Sequence, residues 1–216
     1  MTEVGAERSL HERVARLVTK PWFWVAFVLL GFIVPIGRAL GRPQPEVPKL
    51  RIALPAFSLI DQRGEPYGLT DLRGKIWVAD FVFTSCPTVC PKLTRKMRDI
   101  QHRAHNLGDV FHLVTFSVDP VNDTPPVLAA YANEFHADTR RWTFLTGPLD
   151  MVEPTVIKGF KIAMGKEDVG QGMFSIFHGE KLVLVDRDGF IRGYYDADDE
   201  GTDALLRDVG IIANFP

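Results

Sequence analysis

The chain has 216 residues, 46% of them hydrophobic and 24% charged, and a formal charge of −2. That balance offers no positive field for phosphates and argues against nucleic-acid binding. Its 15 Pro and 18 Gly are dispersed through apolar sequence, unlike a disordered or collagen-like chain, and two cysteines are too few for a disulfide-built miniprotein.

The first element is an uncharged run, Pro21 to Gly37, bounded by Lys20 and Arg38. Its 17 residues would rise about 26 Å as a helix. With Trp22 and Trp24 at one end and flanking cations able to snorkel, the run predicts a single retained transmembrane anchor preceded by a short tail, residues 1–20. A cleaved signal peptide is the main rival, yet Arg38-Ala39-Leu40-Gly41-Arg42 lacks small-x-small cleavage chemistry. Four Lys/Arg lie in residues 1–20 and four more in residues 38–51, so flanking charge assigns no orientation. Residues 38–51 contain Pro43, Pro45 and Pro48 and read as an extended linker. Up to residue 51 there are 8 basic and 4 acidic side chains (+4); residues 52–216 hold 17 and 23 (−6). The single domain expected over 52–216 is therefore mildly acidic.

Along that domain, Phe57–Ile60 followed by Asp61-Gln62-Arg63-Gly64 predicts a short strand and a turn. Ile76–Phe83 is an apolar, β-rich run interrupted by Asp80, as in a central strand covered on both faces. Leu93–Leu107 predicts a helix closed by Gly108, and Val110–Val118 a second buried strand. Asp123-Thr124-Pro125-Pro126 reads as a helix start with Asp123 as the capping side chain, and Val127–Phe135 as the helix body. A strand at Trp142–Leu145 and a helix at Asp150–Phe160 follow. Lys181–Asp186 and Phe190–Tyr195 flank Arg187-Asp188-Gly189 as a hairpin, and Thr202–Ile212 forms a last helix. The alternation predicts an α/β layered fold.

Cys86-Pro87-Thr88-Val89-Cys90-Pro91 falls between the first central strand and a helix. A strand-to-helix turn aims amides and the positive end of the dipole at a sulfur, favouring the thiolate that attacks disulfides or binds metal. The four-residue spacing puts both side chains on one face of a helical turn, close enough to chelate or to oxidise. A merely stabilising disulfide closing so small a loop would contribute only about 2 kcal/mol. A third ligand must come from another loop. His11 precedes the apolar run, His102 and His105 sit in a charged helix, His112 lies in a strand, and His136 ends a helix. His178, in a loop before the hairpin, is the remaining candidate, although position alone favours a satisfied loop histidine.

The domain resembles the Sco/SenC family of copper-binding thioredoxin-like proteins. The resemblance runs through Ser58-Leu59-Ile60-Asp61-Gln62, Leu69–Lys75, Phe83-Thr84-Ser85-Cys86-Pro87-Thr88-Val89-Cys90-Pro91, Phe116-Ser117-Val118-Asp119-Pro120 with Asp123-Thr124-Pro125, and His178 before Leu182–Gly189. It implies a thioredoxin-like fold, a central sheet flanked by helices, behind the transmembrane helix. It further implies that Cys86, Cys90 and His178 are ligands for Cu(I) or Cu(II), with Asp119 as a nearby supporting carboxylate. Two sulfurs and an imidazole suit a soft, low-coordinate Cu(I) site. The implied setting is the periplasmic side of the inner membrane. The implied role is a copper chaperone serving the copper-bearing subunit of cytochrome c oxidase, or exchanging with another copper chaperone. Many members carry an acidic residue where this chain has Phe177.

Rival functions remain on the residues alone. A thiol-disulfide oxidoreductase would use Cys86 and Cys90 as a redox pair without needing His178, although its usual spacing is CxxC. A peroxiredoxin would carry threonine where Phe83 stands. A structural zinc site would ordinarily use tighter cysteine pairs. Gly74-Lys75 and Gly165-Lys166 lack the surroundings of a phosphate-binding loop.

Overall fold

A computed structural model describes residues 19–40, 46, 48–162, 164–168, 174–178 and 181–214, with residues 39, 40, 164–168 and 174–178 described by backbone alone. The chain divides into two compact units, Met1–Pro45 and Glu46–Pro216.

In the first unit, α1 (Pro21–Leu40) is a single helix of 20 residues containing Pro35. It is therefore about 30 Å long. Trp22, Phe27, Leu30 and Phe32 are all more than half exposed. A helix apolar on every side, with none of its span buried among the described residues, is long and apolar enough, by length and composition, to cross a membrane. Such exposure is the opposite of what a core helix shows.

The second unit contains, in order, β1 (Ile52–Ala53), β2 (Ser58–Asp61), β3 (Pro66–Gly68), β4 (Ile76–Val82), α2 (Val89–Arg103), β5 (Phe111–Ser117), α3 (Pro125–Glu134), β6 (Trp142–Thr146) and α4 (Leu149–Pro154). It continues with β7 (Met164–Asp168), β8 (Phe174–His178), β9 (Lys181–Val185), β10 (Phe190–Asp196) and α5 (Asp199–Asn214). Eight strands form one sheet in the order β1-β10-β9-β4-β5-β6-β2-β3, while β7 and β8 pair separately. β4, β5 and β6 run parallel; β9 lies antiparallel to β4, and β10 to β9. This is a thioredoxin-like α/β fold.

Every residue of β4 and β5 is buried, as their continuous apolar sequences require of strands covered on both faces. Alternation along β4 divides the core. Ile76, Val78 and Val82 meet Leu93, Met97 and Ile100 of α2, Leu128 and Tyr131 of α3, and Leu205 and Val209 of α5. Trp77, Ala79 and Phe81 face the other layer with Val114, Phe116, Val152, Val156 and Phe160. There Phe160 sits 4.9 Å from Phe116 and 5.1 Å from Phe81, ring centre to ring centre. The end of the linker also packs on this unit: Arg192 donates to the Pro48 carbonyl at 2.7 Å, and the Arg51 guanidinium lies 4.2 Å above the Phe190 ring.

Several elements depart from the sequence expectation. α2 begins at Val89, four residues early, so Cys90 lies inside the helix, because Pro91 has no amide to lose in a first turn. It ends at Arg103 and passes into a 3-10 turn, His105–Val110, within which Gly108 adopts φ +58. The helix expected over 150–160 is cut at Pro154 and continues as one wider π turn, Thr155–Gly159, since that proline cannot donate back along the helix. Asp123 makes no capping bond at the start of α3, whose N-cap is Thr124. His178 terminates a strand, paired with Met164, where a loop was expected.

Candidate functional site

The site is built where β4 hands the chain to α2. The Val118 amide donates to the Val82 carbonyl at 2.8 Å, extending the β4–β5 ladder to the strand's last residue, and the Cys86 amide donates to Phe83 at 3.2 Å, closing the turn. Thr88 then precedes α2 without a side-chain cap. A sulfur takes that place: the Cys90 amide donates to Cys86 Sγ at 3.5 Å. The two cysteines are not joined as a disulfide; Cys86 is 8% exposed and Cys90 wholly buried.

The two thiols are electrostatically unlike. Burial by itself would push Cys86 up, but the amides of Cys90, Thr88 and Val89 and the Cys90 thiol outweigh it, so Cys86 falls below the ordinary thiol value. Cys90 moves far up, first through burial and then through the neighbouring Cys86 sulfur and the Asp80 charge, against the Phe83 backbone. Cys86 is thus the more acidic thiol of the pair and Cys90 the less acidic.

A buried carboxylate braces the turn from β5's side. Asp123 accepts the Thr84 amide at 3.2 and 3.1 Å, the Thr84 hydroxyl at 2.5 Å and the Ser117 hydroxyl at 2.6 Å. Burial raises its pKa, while the bonds from Ser117 and Thr84 pull it back. Ser117 Oγ also accepts the Asp119 amide at 3.1 Å, and Asp119 Oδ2 accepts from Asn122 Nδ2 at 2.6 Å, so the 119–123 turn and the cysteine turn form one hydrogen-bonded unit. Asp119 is 4% exposed and shapes its own turn. Sequence reasoning took Asp123 for a helix cap; its partner Thr84 is 39 residues away, and only the pairing of β4 with β5 brings them together.

Beneath α2 lies a second polar group. Asp80, wholly buried between Val78 and Val82, accepts from the Thr115 hydroxyl at 2.5 Å, and Trp142 Nε1 donates to that same hydroxyl at 2.8 Å. The other carboxylate oxygen has no partner among the described residues. Burial pushes Asp80 up to about 7, against the bonds from Thr115 and its own backbone. Thr94 bonds the Cys90 carbonyl at 2.9 Å and the Tyr131 hydroxyl at 2.7 Å, tying α2 to α3.

Among the histidines, His112 packs as a core residue, its Nε2 2.8 Å from Thr143 Oγ1, and His102, His105 and His136 are exposed. His11 and the His178 side chain lie outside the described residues. Among the described residues no three His, Cys, Asp or Glu side chains come together as a metal site. The donors that do converge are two sulfurs at a helix N-terminus, one held toward thiolate, which suits a soft monovalent ion or disulfide exchange.

Residues 48–213 match the SCO1/SenC family model. A SCO1 protein homolog of Bacillus subtilis is 32% identical over 79% of this chain and 88% of its own. Among solved structures, a SCO1/SenC family lipoprotein from Bacillus anthracis superposes with TM-score 0.70 at 34% identity, covering 78% of this chain and 99% of that one. BsSco, a member of the Sco family of cytochrome c oxidase assembly proteins in which a disulfide switch was identified, matches with TM-score 0.68 at 31% identity over 81% and 100%. ScoI of Bradyrhizobium japonicum with copper bound matches with TM-score 0.62 at 25% identity over 72% and 98%. With the family model covering residues 48–213 and the fold shared, the chain is a member of the SCO1/SenC family.

Proposed function

We propose that this protein is a membrane-anchored copper chaperone that carries copper as cargo on Cys86, Cys90 and His178 and passes it to the copper-bearing subunit of cytochrome c oxidase. The reading rests chiefly on one observation, the Cys86 sulfur 3.5 Å from the Cys90 amide, with the two thiols not bridged at the start of α2. Thiolate sulfur is the preferred donor for Cu(I), and the amides that lower Cys86 favour that form. His178 supplies the imidazole, and Asp119 a carboxylate near the cysteine turn that supports the site without being a ligand. α1 anchors residues 38–216 on the extracytoplasmic face, where copper and oxidised thiols are both available. The lipoprotein relative is in keeping with anchoring.

Release follows from the same pair. A partner disulfide accepts two electrons from the Cys86 and Cys90 thiolates and takes two protons from solvent, leaving as a dithiol while one S–S bond forms here and the copper loses two ligands. The split between a low Cys86 and a high Cys90 also favours a second reading, a thiol-disulfide oxidoreductase that needs no metal: Cys86 attacks the partner and Cys90 resolves the mixed disulfide.

Copper stoichiometry and affinity of the anaerobically reduced protein decide between them, measured beside Cys86→Ser, Cys90→Ser and His178→Ala. The chaperone reading expects either serine variant to lose Cu(I) and His178→Ala to bind it at least tenfold more weakly. If His178→Ala keeps the parent's affinity while disulfide reduction requires both cysteines, the oxidoreductase reading stands instead.

A further inference from the structure

The helix that carries Cys90 is charged against the grain of its domain. Residues 52–216 hold 17 basic and 23 acidic side chains, yet α2 bears Lys92, Arg95, Lys96, Arg98 and Arg103 against the single acid Asp99. No acidic residue occupies its first turn, where the helix dipole favours anions, and Lys92 follows that turn directly. Two of the cations are neutralised within the fold, since Lys96 pairs with Asp199 and Arg103 pairs with Asp203 of α5. Lys92 and Arg95 are exposed, Arg98 is half-buried, and none of the three has an ion-pair partner among the described residues.

This row begins two residues beyond Cys90. At its head the surface is uncharged: Pro87 and Thr88 are exposed, and Val121, carried on the turn that Asp123 and Ser117 join to the cysteine turn, is 71% exposed. An apolar centre edged by unpaired charge of one sign is the anatomy of a protein–protein contact. A lipid surface fits less well, because a face pressed onto headgroups would cover Cys86 and close the thiol pair to exchange.

We infer that the outer face of α2, with Lys92, Arg95 and Arg98 beside the cysteine turn, docks an acidic protein surface that is brought to Cys86 for exchange. The inference rests on the reading of Cys86 and Cys90 as the exchange site and adds the charge of the partner. It replaces the simpler argument from net charge, by which an acidic domain would draw a basic partner: the field at the site is set by the nearest side chains, within about 10 Å.

The test uses the full chain, reduced, in neutral detergent, with the charge reversal Lys92→Glu/Arg95→Glu/Arg98→Glu and the neutral Lys92→Gln/Arg95→Gln/Arg98→Gln. Lys49→Glu/Lys158→Glu/Lys161→Glu, outside α2, is the matched-charge control. In one arm Cys86 attacks a disulfide probe, forming a mixed disulfide and expelling one probe thiolate; dithiobis(nitrobenzoate) is the anionic probe and cystamine the cationic one. Reversal is expected to slow the anionic probe about tenfold and to accelerate cystamine, with the neutral variant between them, the control unchanged, and the differences fading in high salt. In the second arm, copper transfer to the apo copper-bearing domain of cytochrome c oxidase is expected to slow by about the same factor. Rates equal in parent and reversal in both arms overturn the inference and leave the chaperone reading intact. Parent protein that transfers no copper but keeps its preference for the anionic probe ends the oxidase reading and supports an acidic partner of another kind. Reversal that abolishes binding to phosphatidylglycerol vesicles without changing either rate overturns the inference in favour of lipid.

Discussion

The two faces of β4 do different work. The face turned to Phe160 is a lattice of aromatic rings, Trp77, Phe81 and Phe116, whose stabilisation comes from buried area and ring contacts. The layer between β4 and α2 interrupts its apolar packing with Asp80 and Thr115 on the strands, Thr94 on the helix that holds Cys90, and the Tyr131 hydroxyl from α3. A buried carboxylate with one oxygen unpartnered destabilises the fold relative to an apolar residue of similar size, so this face has given up stability for polarity below the thiols. Stability and chemistry are thus separated by one strand's thickness, and substitutions on the two sides are expected to differ in kind.

The largest effect is expected from Phe160→Ala, which empties the centre of the aromatic layer. Chemical denaturation is expected to show a loss of about 4 kcal/mol, with thiol titration finding Cys86 unmoved. A shifted Cys86 would mean that the two faces are coupled.

Next in size are pH effects of opposite sign. Asp80 titrates near 7 in the folded protein and near 3.8 as a model group, so its contribution is complete below about pH 4 and lost as pH rises through 7. Asp80→Asn is expected to remove a decline on the order of 3 kcal/mol between pH 5 and 8, read from denaturation midpoints. On the other face, burial, then Lys75 and Arg141, lower His112 to about 4; its contribution is present above pH 6.5 and lost as pH falls through 4. His112→Gln is accordingly expected to flatten the acid limb and leave the neutral limb as it is. A neutral limb unchanged in Asp80→Asn would show that the carboxylate stays ionised in the core.

The smallest effect on stability, about 2 kcal/mol, is expected for Asp123→Ala, which strips the acceptor from Thr84 and Ser117. Its effect on chemistry is larger. With the turn unbraced, the amides of Cys90, Thr88 and Val89 lose their aim, and the Cys86 thiol is expected to rise toward its ordinary value, as alkylation rate against pH would record. Asp123→Asn, which keeps an acceptor, is expected to fall between parent and alanine.

What could be read from the chain alone follows the range of the interactions. β4, β5 and the β9–β10 hairpin were legible because continuous burial and a turn glycine write themselves into a few neighbouring residues; Gly189 does adopt φ +84. The cysteine turn was legible because two sulfurs four apart after a buried strand have few structural uses. The start of α2 was not, since prolines at 87 and 91 resemble a loop until the helix around them is seen. Asp123 was misread because helix caps are local and its true partners are on other elements. β7 and β8 carry neither apolar alternation nor a turn signal strong enough to announce a pair.

One carboxylate joining two turns has a consequence for engineering. The cysteine turn is held by two separate stretches, residues 84–90 and 117–123, stitched together by Asp123. Moving the CxxxC segment alone onto another scaffold would transplant the sulfurs without the clamp that aims them, and a graft that works must bring both pieces.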